Sequence, residues 1–196
     1  MTINVNPTPL AGCWNEGYSL DEHTLYSVFV GDDEWGHPHY DTKRTEIGEL
    51  LFRLKYRGDK SSASALAETA AQFVKDMAWP VQLVAPMPPS VLTRAYQPVW
   101  VLGEAIAERL GVEYCQTCLT KKTETPQLKN TFDPALREKA LEGVLRAAAK
   151  VRSKIVLLFD DLASSGTTLD AAAKALTEEG TRGIYVLTLT KTRTMR

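Results

Sequence analysis

The sequence predicts an α/β fold, a mainly parallel central sheet flanked by helices, with a small β or irregular cover at the N-terminus. Three observations carry this. Residues 154–190 read as strand, loop, helix and strand, from "KIVLLF" through a helix over Thr168–Glu179 with Gly180 as its C-cap to "GIYVLTLT". Such a βαβ unit implies parallel strands beneath a crossover helix. Upstream, apolar residues at helical spacing alternate with short apolar runs, so the α/β rhythm begins before the C-terminal unit. At 196 residues and 44% apolar content, the chain fills one substantial core and not two full domains.

Taken in order, residues 1–45 mix Trp14, Tyr18, Tyr26, Trp35 and Tyr40 with Gly, Pro and acidic residues, and hold one strand-like stretch, "TLYSVFV" at 24–30. From 46 to 78 the pattern is helical: Leu66, Ala70, Phe73, Val74 and Met77 share a face, and Pro80 lies just beyond the end. "VQLVAP" at 81–86 is a strand. Val99, Leu102, Ile106 and Leu110 mark a second amphipathic helix closed by Gly111, and "VEYCQTCL" at 112–119 reads as another strand. "TKKTETPQLKNTFDP" at 120–134 is a polar loop, followed by the alanine-rich "ALREKALEGVLRAAAK" at 135–150, a helix by propensity.

A formal net charge of −1 gives no bulk attraction to nucleic acid or an anionic membrane. No apolar run approaches the roughly 20 residues of a membrane span, and "MTINVNPTPLAG" has no signal-peptide pattern, so a cytoplasmic setting is expected. Three cysteines form no disulfide framework and are expected reduced. Cys115 and Cys118, placed in one strand, would point to opposite faces.

The chemistry concentrates at the joint of the C-terminal unit, "VLLFDDLASSGTT" at 156–168. Ligands of open parallel sheets sit beyond the carboxyl ends of the strands, where the next helix offers free N–H groups and a positive dipole end. Asp160 and Asp161 stand at that edge. Ser164, Ser165, Thr167 and Thr168 supply hydroxyls, and Gly166 lets the backbone approach an anion. Carboxylates do not attract phosphate, so they are expected to accept hydrogen bonds from hydroxyls of the same ligand. A sugar phosphate satisfies both halves. Helix capping alone would need one such residue, not six.

The same stretch resembles the signature of type I phosphoribosyltransferases. That resemblance implies a site for phosphoribosyl pyrophosphate (PRPP), with Asp160 and Asp161 on the ribose hydroxyls and Ser164, Ser165, Gly166, Thr167 and Thr168 on the 5-phosphate. "VAPMPPSVLTRAYQPVWVLGEAIAERLG" at 84–111 is similar to the ComF (competence protein F) branch, with Ala95 and Gln97 as departures from its pattern. The basic loop with Lys121, Lys122, Gln127 and Arg137 is similar too, and Ala140 departs from an Asn there. The four-cysteine zinc ribbon common in that branch is missing.

The resemblance implies a phosphoribosyltransferase-like domain over 46–196 and an N-terminal hood over 1–45, whose aromatics would meet an acceptor base. Pro86, Met87 and Pro88 would open a loop presenting N–H groups to pyrophosphate, Arg94 would add charge, and Lys121 and Lys122 would close over the leaving group. Mg²⁺ is expected, held mainly through PRPP, with no metal motif of the chain's own. Transfer to a nitrogenous small-molecule acceptor in nucleotide metabolism is the implied reaction. The alternative is a non-catalytic PRPP sensor, or an accessory of DNA uptake or processing.

Two weaker signals remain. "RLKYRGDK" clusters Arg53, Lys55, Arg57 and Lys60, either a solvated helix end or a nucleic-acid contact. His37 and His39 in "GHPHY" lie at a turn and suggest no metal site. A homo-oligomer is compatible with all of this.

Overall fold

The computed structural model of the chain describes residues 2–89, 96–121, 144–164 and 166–193. Arg94, Lys122 and Ser165, the polar loop beyond Lys121 and most of the alanine-rich stretch lie outside the described residues.

A six-stranded sheet forms the centre, in the order β1-β2-β10-β9-β5-β6. Its strands are β1 (Thr8–Pro9), β2 (Glu16–Glu22), β5 (Leu83–Pro86), β6 (Glu113–Tyr114), β9 (Ile155–Ala163) and β10 (Gly183–Lys191). Only the edge pair β1–β2 is antiparallel; the other neighbours run parallel. The expected α/β class with a mainly parallel sheet is what forms.

Alternation along β9 sorts the core into two layers. Leu157 and Phe159 join Val84, Leu187 and Leu189 against the helices α1 (Glu46–Tyr56), α2 (Ser61–Asp76) and α3 (Pro98–Leu110). Val156 and Leu158 join Leu83, Ala85 and Val186 against α4 (Thr167–Glu178). A sheet covered on both faces needs strands apolar at every position, and "IVLLF" supplies them.

The sequence pattern and the structure part at four places. The helical stretch 46–78 is two helices, because Gly58 turns the chain at φ 66° and the Asp59 carboxylate accepts from Ser61 N and both the Ser61 and Ser62 hydroxyls, restarting the helix. Residues 112–119 are not one strand. The chain turns at 115–118 between β6 and the short β7 (Leu119–Lys121), and this brings the Cys115 and Cys118 Cα atoms to 5.4 Å, joined by a disulfide. The expectation of reduced thiols therefore fails for these two, while Cys13 is free and exposed. The end of the alanine-rich stretch is β8 (Leu145–Ala147), antiparallel to β7, with Leu145 and Ala147 buried and Arg146 exposed; pairing and burial of alternate residues override helix propensity there. Finally, residues 16–22, which read as part of the N-terminal cover, run in the central sheet as β2, in parallel register with β10 from Tyr185↔Glu16 to Lys191↔Glu22.

Residues beyond β2 form a separate hairpin, β3 (Thr24–Asp32) with β4 (Pro38–Arg44), whose Phe29 and Tyr40 rings meet edge to face at 5.7 Å. Thr45 then anchors α1. Its hydroxyl accepts from Gly48 N at 3.1 Å and donates to the Glu22 carbonyl at 2.6 Å, fixing the helix start to the end of β2.

Candidate functional site

The site arises where two neighbouring strands stop at different heights. β5 pairs with β9 only as far as Pro86↔Phe159, and Met87 N donates to the Phe159 carbonyl at 2.8 Å. β9 continues along β10 for four further residues, Asp160 to Ala163. The step leaves a cleft of about 290 Å³ beyond the end of β5. Of the residues selected from sequence, Asp160, Asp161, Ser164, Gly166, Thr168, Met87, Pro88 and Lys121 line it together. Pro86 is buried as the last residue of β5, and Thr167 is the first residue of α4.

The two carboxylates are neighbours in sequence and so leave β9 on opposite faces. Asp160 shares the face of Val156 and Leu158, the α4 side; Asp161 shares the face of Phe159, the α1 side. Burial pushes the Asp160 carboxyl up to about 7, the Asp161 charge adding to it, and Asp161 N donates to Asp160 Oδ1 at 2.8 Å. Asp161 finds a partner instead. Lys55 Nζ stands 2.6 Å from Asp161 Oδ1, with the two side chains only 12% and 13% exposed.

Lys55 thus belongs to the cleft, which it lines. Sequence reading left it in a surface cluster. The signal was present: Lys55 follows buried Leu51 by four and buried Leu54 by one, so it lies beside the apolar face of α1. The rest of that cluster is also engaged within the chain: Arg53 Nε donates to Glu49 at 3.0 Å, the Arg57 guanidinium lies 5.6 Å from the Phe52 ring, and Lys60 Nζ lies 5.8 Å from the Tyr96 ring. His23, at the end of β2, bonds Thr190 Oγ1 through Nδ1 at 3.2 Å; burial holds its pKa down, helped by Lys55 and Arg44.

On the far side of the cleft Gly166 caps α4 with φ 76°, and a Cβ built there meets nothing within 4 Å. The turn therefore wants glycine for its backbone angle, and it leaves open space in front of the helix. Ser164 and Thr168 line the cleft at the N-terminus of α4, where a helix carries the positive end of its dipole. In the described part of the loop after β5, which ends at Pro89, the backbone does not offer the expected N–H groups. Met87 N is used by Phe159, and Pro86, Pro88 and Pro89 have no N–H, so this stretch offers carbonyls; Pro89 accepts from Lys121 Nζ at 3.2 Å. Among the described residues no three His, Cys, Asp or Glu side chains group to hold a metal ion, and no helix is long and apolar enough to cross a membrane.

No protein-family model matches the chain, and no curated protein matches it in sequence. Solved structures share its fold. The allosteric regulatory enzyme of purine biosynthesis and the glutamine PRPP amidotransferase from B. subtilis complexed with ADP and GMP each superpose with a TM-score of 0.50 at 20% identity, over 80% of this chain and 34% of theirs. The chain therefore spans about a third of the length of those two enzymes. Adenine phosphoribosyl transferase from Trypanosoma brucei, in complex with AMP, pyrophosphate and ribose-5-phosphate, superposes with a TM-score of 0.51 at 10% identity, over 95% of this chain and 74% of that one. At these identities the likeness is one of fold, the α/β fold of type I phosphoribosyltransferases.

Proposed function

We propose that the cleft binds PRPP and that the chain transfers its phosphoribosyl group to a nitrogenous small-molecule acceptor, releasing pyrophosphate. One observation supports this most: the paired carboxylates, the αL glycine and the N-terminus of α4 converge on one crevice beyond the strand ends. In this reading the 5-phosphate meets Ser164, Gly166, Thr168 and the first turn of α4, with Ser165 and Thr167 in the same loop. The ribose hydroxyls donate to Asp160 and Asp161, whose negative charge lies beside the carbon where positive charge develops on departure of pyrophosphate. Lys121 is assigned to the pyrophosphate end; Lys122 and Arg94, given the same role from sequence, lie outside the described residues. The hairpin β3–β4 rises from the His23 end of β2 and is the part of the N-terminal segment assigned to the acceptor. The ComF-like placement within this class rests on the residues around Arg94 and Gln127.

Mg²⁺ fits as a companion of PRPP rather than as a resident of the chain. Asp161 is already ion-paired with Lys55, whereas Asp160, among the described residues, feels Lys55 and Lys121 only through their charge. When bound, the cation supplies charge neutralisation on the leaving pyrophosphate. A second reading, a PRPP sensor without turnover, draws support from Lys55, since an ammonium beside the ribose opposes the positive charge of the transfer transition state.

The deciding experiment is a thermal shift with PRPP and Mg²⁺, followed by pyrophosphate release against a panel of purine, pyrimidine and amine acceptors. A raised melting temperature that disappears in Asp160→Asn/Asp161→Asn is expected, the lost acceptors weakening binding by about 2–5 kcal/mol. Equal shifts in both proteins would remove the ribose assignment. Binding without turnover selects the sensor.

A further inference from the structure

The geometry points to Lys55 as the resident cation of the Asp160–Asp161 pair, so that this half of the cleft takes a ribose 5-phosphate monoester with free 2- and 3-hydroxyls without any divalent metal. The inference rests on the sugar-phosphate reading of the cleft and concerns what neutralises its carboxylates.

Two adjacent carboxylates at the end of a buried strand carry a repulsion that something must relieve. A divalent cation is one solution, and a hard ion such as Mg²⁺ asks for about six oxygen ligands, most of them water or ligand when the protein offers only one or two. This chain contains a different one. Lys55 reaches Asp161 from 106 residues away at 2.6 Å. With both side chains nearly covered, the pair is screened little by solvent. A metal seeking Asp161 would have to displace the ammonium and leave a buried lysine unpaired, which is strongly unfavourable.

The placement is also structurally enforced. Lys55 lies in the last turn of α1, whose first turn is tied through Thr45 to the Glu22 carbonyl. Tyr96 Oη donates to the Leu54 carbonyl one residue before Lys55. Leu51 and Leu54, fully buried, hold the same turn against the core. Among the described residues, Arg44 lies 3.8 Å from the Phe52 ring centroid and 3.6 Å from Glu49, and Lys121, whose charge also reaches Asp160, bonds the Pro89 carbonyl, so Lys55 is the cation in direct contact with the pair. Lys55 lines the cleft, and its ammonium has donors left after bonding Asp161, which suit a ribose hydroxyl oxygen.

The test measures ribose 5-phosphate binding by calorimetry, in EDTA and in Mg²⁺, for the wild type, Lys55→Met and Lys55→Arg. Wild-type affinity is expected to agree within about two-fold between the two conditions, because Lys55 already supplies a counter-charge beside the pair. Lys55→Met should bind at least about ten-fold more weakly in EDTA and recover with Mg²⁺, while Lys55→Arg keeps metal-independent binding. Wild-type binding that needs Mg²⁺, absence of ribose 5-phosphate binding in both conditions, or a Lys55→Met protein unaffected in EDTA would each overturn the inference. The wild-type comparison stands even if Lys55→Met fails to fold. A PRPP·Mg²⁺ thermal shift alongside metal-dependent ribose 5-phosphate binding would sink the role of Lys55 alone. Metal-free ribose 5-phosphate binding without a PRPP shift would sink the transfer reading alone.

Discussion

β9 and β3 are both nine-residue strands rich in apolar residues, yet their fates are opposite. β9 is paired on both sides and buried from Val156 to Phe159, whereas β3 has one partner and is exposed along most of its length, with Val28 and Val30 each 56% exposed and Phe29 54%. Apolar content therefore does not decide burial; the pairing does. β9 has β10 and β5 as neighbours and helices on both faces, while the hairpin carrying β3 is, among the described residues, a two-stranded ribbon with no third strand. The difference also places the chemistry. Polar side chains gain leverage where they emerge from a packed strand into a cleft, as Asp160 and Asp161 do, because low exposure strengthens every charge interaction.

The largest test of that contrast deletes side chain from each strand. Leu158→Ala is expected to lower the unfolding free energy by about 2–5 kcal/mol, since Leu158 is fully buried and the cavity cannot collapse inside a two-sided layer. Val28→Ala should change it by less than about 0.5 kcal/mol. Urea denaturation of the two variants reads both numbers, and comparable losses would mean that β3 is covered in solution.

How much of this was legible follows from distance along the chain. The "DDLASSGTT" loop could be read because its chemistry is contiguous: carboxylates, glycine and hydroxyls stand within nine residues, and strand and helix flank them. Lys55 could not be paired with Asp161, because a local pattern says which face a lysine takes but not what meets it 106 residues later. The same limit hid β2. "EGYSLDE" is half polar, and only its pairing with β10 brings it into the sheet, leaving Ser19 and Leu20 fully covered. Cys115 and Cys118 were misplaced for a subtler reason: one strand was assumed where a turn intervenes, and a period-two argument fails at a turn.

A second test sharpens the account of the buried end. The Asp160 carboxyl is raised from 3.8 to about 7, so between those values the folded chain holds a proton that the unfolded chain has lost. Folding stability attributable to Asp160 therefore falls as pH rises through this window, and the penalty is complete above it. Asp160→Asn removes the penalty. The variant is expected to gain melting temperature relative to wild type as pH rises from 4 to 7 and to hold that gain at pH 8, in the absence of ligand. His23, whose pKa is lowered, acts with the opposite sign as pH falls below 6.5, and it cancels in the comparison because both proteins carry it. A pH-independent difference between the two would mean that burial does not raise Asp160.

The smallest expected effect is at the hairpin tip. Trp35 is 79% exposed, the most exposed of the large apolar side chains among the described residues. Asp33 organises the turn around it, accepting from Trp35 N at 2.9 Å and His37 N at 2.8 Å, so the turn depends on the Asp33 carboxylate and the backbone rather than on the indole. Trp35→Ser should therefore leave the hairpin conformation intact and change stability by less than about 0.5 kcal/mol. The measurement is unfolding at two protein concentrations far apart. An isolated chain gives the same small change at both. If a second copy covers the tip, the wild type gains melting temperature with concentration and Trp35→Ser loses that dependence, because association stabilises the folded state by mass action. A loss larger than expected at both concentrations would instead show the indole packed against its own chain, and the contrast between a buried β9 and a bare β3 would no longer hold at the ribbon's end.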